Sequence, residues 1–335
     1  MNEAEKFKTS DGRDIYTFQV QSFSQLINNI YIIDDGNDLI LVDCGSGLEK
    51  ANNDLVAGFT AISEKFNKKF SLKDITQILI THGHIDHFGG LPFVRQFTNA
   101  PIGIHLLDRR VLSNHEERAV VVARRVENFL ESAGVSANHR QELMQVYLFA
   151  KQYYQSTPVQ FLLNDGEMTV GNILVHHTPG HCPGQVCLQL DDVLLTADHI
   201  LSRITPHQAP EDITKNMGLG HYLDSLTKIS KVDGIRLGLG GHEDAMKDIY
   251  GRIQDIKASH DDRLNKVLDI CQTPKSLADV SRELFGKVGS YHVLLALEEA
   301  GAHVEYLYQR GELVAANLDE IEETSHPVIQ YIRER

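Results

Sequence analysis

The residues best suited to chemistry cluster in one stretch: Thr81-His82-Gly83-His84-Ile85-Asp86-His87-Phe88-Gly89-Gly90. His82 and His84 are two apart, so an extended backbone turns both to the same side. Asp86 and His87 follow as the chain turns toward a helix. Neutral imidazoles and a carboxylate are borderline ligands suited to zinc, manganese or iron. A chance His-x-His-x-Asp-His match in a chain of this composition has odds of roughly a few in a thousand. A metal site therefore outweighs the plainer reading of a polar loop at a strand end. Three further segments place a ligand type after an apolar run: Thr178-Pro-Gly-His181-Cys182, Leu194-Leu-Thr-Ala-Asp198-His199 and Leu237-Gly-Leu-Gly-Gly-His242.

These residues need strands to present them. Residues 14–18, 29–33 and 38–43 read as strands, with Asp34-Asp-Gly-Asn as a turn. Leu55, Phe59, Ile62 and Phe66 mark one helix face over 49–68. Ile75–Thr81 is a β-branched run that delivers the histidine loop, and a helix resumes at Gly89. Further strands are expected at 101–105, 159–163, 167–178, 184–190, 193–197 and 234–238, with helices at 222–231 and 245–261. Two strand blocks with helices between them predict an α+β fold, a layered αββα sandwich. Residues 108–156 interrupt it with two helical patterns, one carrying Val122, Val126, Phe129 and Leu130, the other Leu143, Val146, Tyr147, Ala150 and Tyr154. Residues 262–272, 276–285 and 290–300 read as three helices, and Val304–Tyr308 and Glu312–Val314 as a hairpin, which is a winged-helix pattern. The expected domains are 1–258, including the insertion at about 108–156, and a winged-helix-like 259–335.

The four segments together resemble the metallo-β-lactamase superfamily, in its hydroxyacylglutathione-hydrolase-like branch, over about residues 14–255. All seven ligand positions of that family are filled. The resemblance implies two divalent metal ions, zinc first, with iron or manganese as alternatives. His82, His84 and His181 would hold one ion, Asp86, His87 and His242 the other, and Asp198 would bridge them. It implies hydrolysis through a metal-bridging hydroxide, with Asp86 also the catalytic proton shuttle. Asp43 matches a position behind the metals that orients a ligand histidine. The tail resembles that of the β-lactamase-like protein 2 group, which includes an endoribonuclease and thioesterases.

The expected activity is hydrolysis of a small thioester, ester or lactone; the alternatives are a metal-dependent single-strand endoribonuclease and a mononuclear iron persulfide dioxygenase. A lactonase tyrosine three residues past the bridging acid is replaced here by Leu201. Charge weighs against the nuclease. The chain has 32 Lys and Arg against 46 Asp and Glu, a net −14, and residues 257–335 hold 9 against 14. Such a surface repels a polyanion. The expected partner is a small acyl molecule, with no nucleic acid and no membrane. Residues 108–156 read as a cap over the metals, with Phe129, Tyr147, Tyr153 and Tyr154 lining an acyl pocket, or as a homodimer contact. His207, downstream of Asp198, reads as a substrate contact. His105, His115, His139, His260, His303 and His326 are expected at the surface, His176 and His177 in a strand, and His199 turned away from Asp198. Four scattered cysteines and a polar N-terminus predict a reducing, cytoplasmic setting.

Overall fold

The computed structural model describes residues 3–151, 154–289 and 291–334. Along the chain, the elements are β1 (Glu5–Lys8), β2 (Asp14–Phe23), β3 (Leu26–Asp34), β4 (Leu39–Val42), α1 (Glu49–Phe66), β5 (Gln77–Leu79), α2 (Ile85–Phe88), α3 (Leu91–Val94) and β6 (Ile102–Ile104). Then come α4 (Arg109–Ser113), α5 (His115–Ser132), α6 (Ala137–Lys151), β7 (Phe161–Leu162), β8 (Met168–Thr169), β9 (Ile173–His177), β10 (Val186–Leu190) and β11 (Val193–Ala197). The remainder is α7 (Leu219–Ile229), β12 (Leu237–Gly240), α8 (Ile249–Ile270), β13 (Lys275–Ser276), α9 (Leu277–Phe285), α10 (His292–Gln309), β14 (Leu313–Ala315), α11 (Leu318–Glu323) and β15 (Gln330–Arg333). Among the described residues no helix is long and apolar enough to cross a membrane.

The chain forms two compact units that interleave in sequence. One takes residues up to His115, Gln155–Pro206 and Ser225–Ile253; the other takes Glu116–Tyr154, His207–Asp224 and the rest from Gln254. The expected linear division at 258 and 259 thus differs from how the contacts group.

In the first unit, β1 to β7 make one sheet in sequence order, and β12-β11-β10-β9-β8 make another. The strand alternation explains the layering. Phe18, Ile30, Ile32 and Leu41 point to one side and pack with Leu55, Phe59 and Ile62 of α1. Their neighbours Ile15, Tyr31, Ile33, Ile40 and Val42 point to the other side and meet Val175, Val186, Leu188 and Leu195 of the second sheet. Each such side chain, fully buried, contributes about 1.5–3 kcal/mol. Helix α1 lies so close to β2 that a Cβ on Gly58 would fall 2.1 Å from the Phe18 ring.

In the second unit, the stripe Val122, Val126, Phe129 and Leu130 is buried as expected, and so are Leu143 and Tyr147; Val146 is exposed. The insertion is bonded to the tail: Ala278 N donates to Ala133 O at 2.9 Å and Ile329 N to Ser132 O at 3.2 Å. Of the three expected tail helices, α9 and α10 are present; 262–272 is no separate helix but the end of α8, which runs unbroken over Ile249–Ile270. The expected strand at Val304–Tyr308 is wrong. That segment continues α10, because Leu294, Leu297, Ala300, Val304 and Leu307 keep a helical spacing and are all buried. Tertiary packing thus overrides the β-branched and aromatic local preference. β14 pairs instead with β15, and β15 with β13.

Candidate metal centre

Parallel β4 and β5 end side by side and set the frame of the site. Past β4, Asp43 adopts a left-handed φ of 61°. Its carboxylate accepts from Thr81 N at 2.9 Å, Thr81 Oγ1 at 2.8 Å and His87 Nδ1 at 2.8 Å. Thr81 Oγ1 has spent its proton on Asp43, so His82 Nδ1–H donates to it, at 3.1 Å. His242 Nδ1–H donates to the Ile27 carbonyl at 2.7 Å. These partners occupy Nδ1 of His82, His87 and His242, so each ring turns its Nε2 inward.

The donors converge in two groups. His84 Nδ1 lies 3.1 Å from His82 Nε2 and 2.9 Å from His181 Nε2. Asp86 Oδ2 lies 3.4 Å from both His87 Nε2 and His242 Nε2. Asp198 faces both groups: its Oδ2 is 3.7 Å from His181 Nε2 and 3.2 Å from His242 Nε2, and its Oδ1 is 3.4 Å from His87 Nε2. Ligands bound tetrahedrally to one zinc at its usual bond lengths lie about 3.3 Å apart. The donor sets therefore fit two cations. A further observation agrees: Asp198 Oδ1 is buried and accepts no hydrogen bond, a costly state for a carboxylate oxygen unless a cation completes it.

Electrostatics divide the site. Burial pulls the His82 pKa well below 6.5 and that of His84 down to about 3. Both therefore keep lone pairs for a metal. At His242 burial acts in the same sense, but Asp198 and Asp86 override it and raise the pKa to about 10. His87 is likewise raised by Asp198, Asp86 and Asp43 against its burial. Asp86 and Asp198 stay charged despite burial, held well below the usual carboxylate range by the facing histidines. Two buried carboxylates thus demand positive charge at this spot, and among the described residues no Lys or Arg pairs with them.

Several residues here carry no signal in the sequence. Asn28 Nδ2 lies 3.0 Å from Asp86 Oδ2 and 3.3 Å from His87 Nε2. Asn29 holds the loop of His242 through the carbonyls of Gly240 and Glu243. Asp108 accepts from Gly83 N at 2.8 Å, and a Cβ on Gly184 would meet its carboxyl carbon at 2.6 Å. Asp108 thus spaces the two ligand loops. Cys182 is buried as expected, and its Sγ lies 3.3 Å from His84 Nε2, the nitrogen opposite the converging one.

Several of the other expected residues belong to the second unit. His207 belongs to the second unit, where Nε2 lies 3.0 Å from Glu298 Oε2 and Nδ1 3.4 Å from Glu299 Oε2. Burial opposes its charge, yet the two glutamates raise its pKa to about 9. Tyr154 is buried in the same unit; Tyr153 lies outside the described residues. His115, His260 and His303 are buried, not at the surface as expected. His303 Nδ1–H donates to Glu299 O at 2.7 Å, so its Nε2 takes the His260 Nδ1–H at 3.0 Å. Glu299 also accepts from Arg263 and Gln208 N, both at 2.7 Å, which makes the cluster an ion-pair network. His105 stacks on His177 with ring centres 3.8 Å apart.

Comparison with known proteins gives the family and the fold. The pattern of the metallo-beta-lactamase superfamily matches residues 24–243. The chain is 26% identical over 231 residues to an atrochrysone carboxyl ACP thioesterase of Aspergillus fumigatus, covering 68% of this chain and 54% of the thioesterase. It is 29% identical over 89 residues to ribonuclease J 1 of Streptococcus pyogenes, covering 27% of this chain and 16% of the ribonuclease. The chain therefore spans about half, or less, of the length of these relatives. A solved metallo-beta-lactamase family protein from Thermus thermophilus superposes with a TM-score of 0.77 at 24% identity, over 96% of this chain and 98% of that one. That likeness establishes the fold.

Proposed function

The chain belongs to the metallo-beta-lactamase superfamily, and from that premise we propose that it is a two-ion hydrolase of a small thioester, ester or lactone. The observation that carries this reading is Asp198, which faces donors of both groups and keeps one buried oxygen without a hydrogen bond. His82, His84 and His181 would hold one ion, Asp86, His87 and His242 the other, and Asp198 both. Zinc suits this nitrogen-rich set best. When bound, two divalent cations polarise an acyl carbonyl and bring the pKa of water near neutrality. The residues of the chain do the rest. Asp43 orients His87 and, through Thr81, His82. Ile27 O orients His242. Asp86 doubles as proton acceptor beside the reacting carbonyl. The thioesterase relative supports an acyl substrate. The acidic C-terminal residues favour a small molecule over a nucleic acid.

The test is metal analysis paired with hydrolysis of acyl-CoA, aryl ester, lactone and single-stranded RNA. Close to two ions per chain, turnover of an acyl substrate and loss of both one ion and turnover in His84→Ala are expected. An empty site in carefully prepared protein sinks the reading. RNA cleavage that vanishes with the same variant replaces the acyl substrate with RNA.

A further inference from the structure

Strand β3 turns alternate residues to opposite faces. Asn28 shares its face with Ile30 and Ile32, which are buried in the apolar cluster against α1. Asn28 is itself only 1% exposed, and its carbonyl Oδ1 is buried without a partner. Leaving such an acceptor unsatisfied costs about 1–3 kcal/mol. Packing alone therefore favours an apolar residue at this position. What the amide does make is polar and specific. Its Nδ2 stands 3.0 Å from Asp86 Oδ2, the oxygen that faces His242, and 3.3 Å from His87 Nε2. A carboxylate can only accept, so the nitrogen end of the amide must face it.

From this we infer that Asn28 is a positioning residue for the second ion, the one assigned to Asp86, His87 and His242. Its N–H holds the Asp86 carboxylate so that Oδ2 faces His87 Nε2 and His242 Nε2 rather than rotating away. The short segment 27–29 then serves that whole subsite. The Ile27 carbonyl orients His242 at 2.7 Å, Asn28 orients Asp86, and Asn29 secures the loop that carries His242. No atom of Asn28 pairs with His82, His84 or His181, so the first ion should not sense it. Ligand-orienting partners of this kind typically contribute 10- to 100-fold in metal affinity.

This inference rests on the two-ion reading, and the experiment separates the two. Metal-free wild type, Asn28→Leu and Asn28→Ser are titrated with cobalt(II), following the absorbance of each site. Asn28→Leu keeps the branched shape and removes the N–H but is bulkier; Asn28→Ser removes it without added bulk. The expected result is two binding steps in wild type and, in both variants, about a tenfold or greater weakening of the second step only. The first step is the internal control for folding. One step in wild type overturns the two-ion reading. Two steps in wild type with an unshifted second step in the variants overturns the role of Asn28. Equal weakening of both steps makes Asn28 a fold residue and also overturns it.

Discussion

Gly241→Ala changes no ligand, yet it is expected to disarm the site. Gly241 lies between Gly240 and His242, and its φ is not in the left-handed region, so alanine fits the backbone. The obstacle is space. A Cβ there would fall 2.4 Å from Asp198 Oδ1 and 2.8 Å from His87 Cε1, whereas ordinary contact begins at 3.4 Å. The Asp198 carboxylate must therefore retreat by about 1 Å, a misplacement that can cost about 100-fold in rate. It cannot retreat freely, because its Oδ2 faces His242 Nε2 at 3.2 Å. Moving the peptide instead strains the Gly241 N–H bond to Ala197 O, 2.8 Å long. Overpacking of this kind costs about 1–3 kcal/mol of stability. The assay is metal content, acyl hydrolysis and thermal melting, with Gly289→Ala as control, where a Cβ meets nothing within 4 Å. Fewer than two ions, a drop in kcat/KM of about 100-fold and a melting point a few degrees lower are expected. Gly241→Ala with both ions and wild-type turnover refutes the steric argument.

Asp43→Ala strands Thr81 N, Thr81 Oγ1 and His87 Nδ1 without their acceptor; a loss of about 3 kcal/mol in urea unfolding and at least tenfold weaker metal binding are expected. Chelator-stripped protein should lose stability with rising pH in a way that loaded protein does not. The His242 pKa is raised to about 10 when no ion competes, so its contribution is full below about 6.5 and fades as pH climbs through about 10. Melting curves that change in parallel for the two forms refute this. His207→Gln removes the cation between Glu298 and Glu299 and is expected to destabilise by about 3 kcal/mol while leaving metal content unchanged. In wild type the same contribution is present below about 6.5 and lost as pH rises through about 9.

The candidate ligands are legible because strand ends present them in runs whose spacing alone is informative. His82, His84, Asp86 and His87 fall within six residues, and each remaining ligand follows an apolar run. Their supporting partners were not, because the pairing is long-range. Asn28 meets Asp86 58 residues away, and Asp108 meets Gly83 25 residues away. A single Asn or Asp in a strand or loop carries no period that reveals such a partner. The buried pair His260 and His303 escaped for a related reason. Each lies in a helix with charged neighbours, and only the packing of α8 against α10 takes both out of water. Val304-Glu-Tyr-Leu-Tyr reads as a strand on its β-branched and aromatic residues alone, while the helical stripe it belongs to begins further back, at Leu294.

The backbone stores cost where the ligands are. Asp43 has φ 61°, Ala197 φ 45° and Glu243 φ 64°. Ala197 precedes Asp198, Glu243 follows His242, and Asp43 bonds His87. A non-glycine residue held in such a region costs of order 1–3 kcal/mol and persists only when its surroundings over-determine it. Here the surroundings do so with fixed bonds. Asp43 has three donors on its carboxylate, Ala197 O accepts from Gly241 N, and Glu243 O accepts from Asn29 Nδ2. These residues sit at the ends of β4 and β11 and just past His242, where the chain leaves the sheets. Strain, buried carboxylates and an Asp198 oxygen without a hydrogen bond all burden the metal-free fold at one place. Bound cations relieve the last two directly, so metal binding should stabilise this chain as well as equip it for catalysis.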